Sequence, residues 1–295
     1  VRGSNILTPN GNVPVESLCI GDLLVTRFGG IRPVKWIGRQ SYDWRFVAKN
    51  PERRPVRIRA GALGDSTPAR DLLVSGGHSV LLGDTLVLAR ALVNGVSIVY
   101  EPVPENAACA PPLDYFQVDF FAHDCVIAEG VFAESFADGP GLRGQFHNEA
   151  EFGARYTDHT APEDLLLCAP RPLRGAALAA ALDCVVAHAG AGLAPGPIEG
   201  FVDLVRGDLI EGWALDTAYP HLPVLLEIIA DGQELGTILA CDERDDLRAA
   251  GKGAGRCAFS FTPPRVLAAN ATVCVRRAAD GARLGFSSAA LRDAA

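Results

Sequence analysis

The stretch "LLVSGGHSVLL", Leu72 to Leu82, sets a histidine between two apolar runs, three residues after a serine. Each run reads as a short buried strand, and Gly76-Gly77 between Ser75 and His78 lets the backbone turn tightly where bulkier residues could not. A turn of this kind aims side chains at something. From the stretch alone, His78 is either a core histidine satisfied by a neighbouring carbonyl or a histidine held at a reactive site.

The same grain continues outward in both directions. From Val1 to about Phe136, runs such as "DLLVTRF", "RPVKWIG", "RPVRIRA", "DTLVLA" and "VSIVYEPV" alternate with Gly, Pro and Asn turns, the pattern of an all-β domain of many short strands. Between Asp138 and Pro197 the character changes. There "PLRGAALAAALDCVVAHAG" favours a helix starting near Pro172, and "AGAGLAPGP" breaks it. From Ile198 the β pattern returns, with Asp-Gly pairs at Asp231 and Asp280 marking hairpins. The expected organisation is an all-β domain over residues 1–140, a linker with one helix over 141–196, and a smaller β-sandwich module over 197–295.

Composition bounds the function classes. With 295 residues, 48% of them hydrophobic and 21% charged, the chain can bury a core and is long enough for two domains. A formal net charge of −8 argues against nucleic acid and against an anionic membrane surface as partners. "RRPVRIR" is the one dense basic run, and its alternation reads as one exposed face of a strand. No apolar run approaches the roughly 18 to 20 residues of a membrane span. The chain contains no methionine, even at position 1, so an upstream segment is expected. The eight cysteines form no CxxC pairs, which disfavours a zinc site, and no cofactor is called for.

Residues 1–140 can now be set beside a known family. "ILTPNGNVPVESLCIGDLLVTRFGGIRPVKWIGRQ", "RPVRIRAGALGDSTPARDLLVSGGHSVLL", "ALVNGVSIV" and "YFQVDFFAHDCVIAEGVFAESF" occur in order, and together they resemble the bacterial Hint (hedgehog/intein) domain. The resemblance implies a compact β fold that breaks its own backbone. A cysteine opening the domain attacks the carbonyl before it, exchanging an amide for a thioester, and this N-to-S shift needs assistance. By the same correspondence Ser75 hydrogen-bonds the scissile peptide and His78 protonates the departing nitrogen. The family's usual threonine is replaced by Ser75, which supplies the same hydroxyl.

Several positions qualify this. At Gln117 relatives carry His or Asp, and glutamine is neither acid nor base near neutrality. His123 and Asp124 match the family's "HD" pair, as orienting residues or as a structural turn; Asp119 reads as a solvated strand face. The nucleophile is expected two residues before Val1, and neither Cys19 nor Cys125 stands in its place. "FHNE", Phe146 to Glu149, mimics a splicing terminus, but Glu149 cannot accept a chain, so His147 and Asn148 read as solvated loop and cleavage without splicing is implied.

The last module resembles a β module of some bacterial glycosyltransferase-like and Hint proteins. Trp213 is either a sugar-stacking platform or core, and Asp203, Asp208, Asp216 and Asp231 lack calcium-loop spacing and read as turn residues. Two functions stay open: a single-turnover cysteine-type autoprotease, or an inactive Hint-fold scaffold in an adhesion or binding protein. The expected partners are its own upstream polypeptide, with water or a small nucleophile, and a carbohydrate or protein ligand for the last module. The expected location is secreted or cell-surface.

Overall fold

Strands dominate the computed structural model, which describes residues 1–64 and 66–287. The chain divides into two units, Val1–Val93 with Ile98–Arg171, and Asn94–Ser97 with the chain from Pro172 onward.

In the first unit the strands are short because Gly, Pro and Asn interrupt them every few residues. Its largest sheet runs Gly11–Pro14, Asn5–Thr8, Cys125–Ala128, Val131–Glu134, Ser79–Leu82, Thr85–Leu88, and the hairpin Leu23–Thr26/Gly30–Pro33 joins it at Cys125–Ala128. Two smaller sheets are Ile98–Tyr100/Pro55–Ile58/Leu72–Ser75 and Leu113–Asp119/Trp36–Tyr42. Alternation decides which face is buried: Leu24 is fully buried while Leu23 faces solvent, as a period-two side chain must. The chain's first strand returns beside the 125–134 hairpin, with Ile6 opposite Ala128. That closure brings residues 1–4 to the elements that carry the candidate site.

The hairpin turn itself is Glu129-Gly130, with φ of 50° and 87°, the two left-handed positions of a tight two-residue turn. Glu129 is an unfavourable residue there. Its carboxylate compensates by accepting from Asn5 N at 2.6 Å and pairing with Arg70, whose guanidinium also donates to Gly3 O at 3.2 Å.

The linker expectation requires correction. Residues 141–196 hold a helical turn at Leu142–Gln145 and α-helices at Glu149–Arg155 and Ala176–Gly190. Residues 141–171 belong to the first unit. Phe146 and Phe152 explain why: both lie edge-on to Trp36 at 5.3 and 5.4 Å, in a cluster closed by Phe136. Arg143 lies under this cluster, 3.7 Å from the Phe152 centroid, and pairs with Asp138 at 2.8 Å and Asp119 at 2.7 Å. Asp119 is therefore fully buried, which overturns the solvated-face reading; burial pushes its carboxyl up, against the pull of Arg143. His147 is exposed in a turn, as expected of a solvated loop, but Asn148 is corrected. Asn148 accepts from Arg39 N at 2.8 Å and donates to Ile37 O at 3.0 Å, acting as a partner for the edge of Trp36–Tyr42.

The second unit has two sheets, Asp242–Glu243/Arg256–Phe261/Leu209–Asp216/Ile198–Arg206/Gly285–Phe286 and Gln233–Ala240/Val224–Ala230/Val273–Arg277. Val202, Ile210 and Phe259 of one share a core with Leu226, Ile228 and Val275 of the other, which is a β-sandwich. Asp231-Gly232, at φ 51° and 78°, makes the tight hairpin that the sequence predicts. Trp213 packs among Leu215, Leu247, Cys257 and Ala258 rather than standing out as a platform. Asp203 pairs with Arg244, and Asp216 with Arg277. Residues 288–295 of the expected module lie outside the described residues.

Candidate functional site

The strand Leu72–Ser75 belongs to one sheet and Ser79–Leu82 to another, so the chain changes sheets across Gly76-Gly77-His78. His78 N donates to Ser75 O at 3.0 Å, and Ala89 N to His78 O at 2.7 Å, which fixes the crossing. Neither glycine has a positive φ. A Cβ on Gly77 would meet nothing within 4 Å, so what this glycine leaves is open space. That space is the wall of a cavity of about 570 Å³, lined among others by Val1, Ser75, His78, Gln117 and Glu134.

Five successive backbone positions at the start of the chain are tied down. Val1 N donates to Leu73 O at 3.3 Å, Arg2 N to Asp114 O at 3.0 Å, Gly3 N to Glu16 Oε2 at 2.9 Å, Ser4 N to Val1 O at 3.2 Å, and Asn5 N to Glu129. The Val1 nitrogen thus enters the cavity on the edge of the strand that carries Ser75.

Electrostatically the site is a histidine faced by a carboxylate. Burial pushes His78 below its usual value; the charge of Glu134 and a hydrogen bond with Gln117 raise it, and His123 lowers it further. Gln117 sits opposite Gly38 in the long two-stranded ribbon, and its Nε2 donates to Glu134 O at 3.3 Å. Glu134 is buried and accepts from Ser79 N at 2.7 Å and from Arg171 at 3.2 Å. Burial alone would raise it, but a contact with His123, the charge of His78, the Ser79 amide and Arg171 together hold it below the usual carboxylate range.

His123 stands one layer back. Its Nδ1 accepts from Cys168 N at 2.9 Å, so the ring proton sits on Nε2, which points at Glu134 Oε2 from 3.5 Å. Asp124, next in sequence, goes elsewhere: fully buried, it accepts from Phe28 N, Gly29 N, Cys125 N and Arg32 and so braces the Leu23–Thr26/Gly30–Pro33 turn. Of the five residues singled out, Ser75, His78 and Gln117 line the cavity, His123 supports its floor, and Asp124 does not reach it. Cys19 and Cys125 do not line it either.

Sequence reasoning missed Glu134 and Arg171. The signal for Glu134 was present: an acid within "VFAESF", where neighbours alternate into a buried strand. Among the described residues no three His, Cys, Asp or Glu side chains are grouped as metal ligands would be, and no helix is long and apolar enough to cross a membrane.

Residues 1–140 match the model of a protein family described as Hint domain. None of the curated proteins compared with the chain matches it. Among solved structures it is similar to the crystal structure of MchDnaB-1 intein, at 12% identity and a TM-score of 0.29, over 45% of this chain and 96% of that one. A second crystal structure of that intein, of a variant, is similar at 15% identity, with the same TM-score and coverage.

Proposed function

We propose that the Hint domain at residues 1–140 activates the peptide bond of a thiol residue placed two positions ahead of Val1, and cleaves the polypeptide there without splicing. The observation that carries this reading is the convergence of the start of the chain with Ser75 and His78 in one cavity. Because burial lowers His78, its imidazole is neutral at pH 7 and free to take the thiol proton. The thiolate then attacks the preceding carbonyl carbon, a C–S bond forms, the C–N bond breaks, and the imidazolium returns its proton to the departing nitrogen. Glu134 favours the transient imidazolium, and Gln117 holds the ring; the Ser75 hydroxyl polarises the carbonyl. Water or a small nucleophile resolves the thioester.

A second reading, a Hint-fold scaffold that does not cleave, is favoured by Gln117, which can orient but cannot exchange a proton. One experiment separates the two. A reporter peptide followed by Cys-Phe is fused to Val1, and the extended protein is followed by mass spectrometry with and without hydroxylamine. The cleaving reading expects release of the reporter, and His78→Ala slows it by ~10² to 10⁴-fold. A folded extended protein that stays whole under hydroxylamine refutes it and leaves the scaffold.

A further inference from the structure

Cys125 and Cys168 are 43 positions apart, yet their sulfurs lie 3.8 Å from each other. Among the described residues, no other pair of cysteine sulfurs makes such a contact. Cys125 is buried on the strand Cys125–Ala128, directly across from Glu134. Cys168 is partly exposed on the irregular segment that follows the helix Glu149–Arg155; this segment packs its Leu167 and Ala169 around Cys125 and is anchored by Leu86 N donating to Pro170 O at 2.8 Å. The same segment supplies the Cys168 amide that orients His123 and the Arg171 that pairs with Glu134. The thiol pair therefore sits behind the carboxylate that faces His78.

We propose that Cys125 and Cys168 are a redox pair that closes to a disulfide and fastens the 142–171 segment to the strands carrying Glu134. The oxidant is a small-molecule disulfide. The Cys168 thiolate, the exposed partner, attacks one of its sulfurs and releases the first thiol; the Cys125 thiolate then attacks Cys168 Sγ and releases the second. Two protein thiols and one disulfide become one protein disulfide and two small thiols, so electrons and protons balance. Closing the gap to the roughly 2.05 Å of a bond needs rotation of a side chain, and Cys168, outside any helix or strand, is the one able to turn. Burial raises both thiols, so the exchange is slow at neutral pH and quickens as pH rises.

The test uses the full chain, kept first in reduced glutathione and then moved to oxidised glutathione under native conditions. Thiols are counted after unfolding and alkylation, and the linkage is read by peptide mapping. The expected result is a fall from eight thiols to six, with one cross-linked peptide joining Cys125 to Cys168. Tryptic cleavage within 142–171 slows by about tenfold or more in the oxidised form. Cys168→Ser abolishes both effects, whereas Cys19→Ser leaves them intact. Loss of thiols from exposed Cys19, Cys109 and Cys184 without that peptide overturns the proposal, and so does a lasting glutathione adduct on Cys168 with Cys125 still reduced.

Discussion

Replacing Glu134 with glutamine keeps the shape of the side chain and removes its charge. The amide oxygen can still accept from Ser79 N, so that bond is weakened from charge-assisted to neutral, a loss of about 1 kcal/mol. Arg171, whose side chain is about one-fifth exposed, loses an ion pair at 3.2 Å worth up to about 1 kcal/mol after solvent screening. The contact with His123 contributes less at 3.5 Å. The expected cost at pH 7 is about 2 kcal/mol, a fall in melting temperature of about 4 to 8 °C. Glu134 lies below its usual value in the native protein, so its stabilisation is complete above pH 4.5 and drains away as pH falls through the native value. The difference between Glu134→Gln and wild type should therefore shrink in acid. His78 gives an independent readout: the carboxylate raises it, so its NMR-detected pKa should drop further in the variant. A His78 titration that stays put or moves up, in a folded variant, refutes the carboxylate–imidazole arrangement.

Asp124→Ala should cost about 3 to 5 kcal/mol in denaturant unfolding, since three backbone N–H groups and Arg32 lose their acceptor; a loss under 1 kcal/mol would contradict the bracing role. Gly38→Ala sets a Cβ 2.6 Å from the Phe146 ring and should displace it at a cost of about 1 to 3 kcal/mol, seen as a lower melting temperature, whereas a neutral substitution would mean Phe146 is not seated on that strand. Trypsin should cut first after exposed Arg174, leaving a product that retains residues 142–171; first cleavage at Arg155 would show that this segment is not held.

Local pattern carried much of this fold. Alternating apolar residues and Asp-Gly or glycine-rich turns act within a few positions, so the strands of both units and the Asp231-Gly232 hairpin were legible in the sequence. Distant partners were not. Asp119 looks like any polar strand residue until Arg143, 24 positions on, is folded beneath the Trp36 cluster to meet it. The segment 142–171 looked like a linker because Phe146 and Phe152 are isolated aromatics in polar sequence, and only the edge of Trp36–Tyr42 gives them a surface to bury against.

The "HD" pair shows most clearly why a site cannot be carried over as a block. His123 and Asp124 are consecutive, and successive residues of a chain entering a strand point to opposite sides. One side leads to Glu134 and the cavity, the other to the Leu23–Thr26/Gly30–Pro33 turn. Both could not serve the same centre. The residue that did join His78 was the one five positions past the hairpin turn at Glu129, because Ser79 and Glu134 meet where the strands Ser79–Leu82 and Val131–Glu134 pair. The site is thus a product of register. Shifting the 125–134 hairpin by one residue would turn Glu134 out of the cavity, and the anchoring of Glu129 to Asn5 and Arg70 is what fixes that register to the start of the chain.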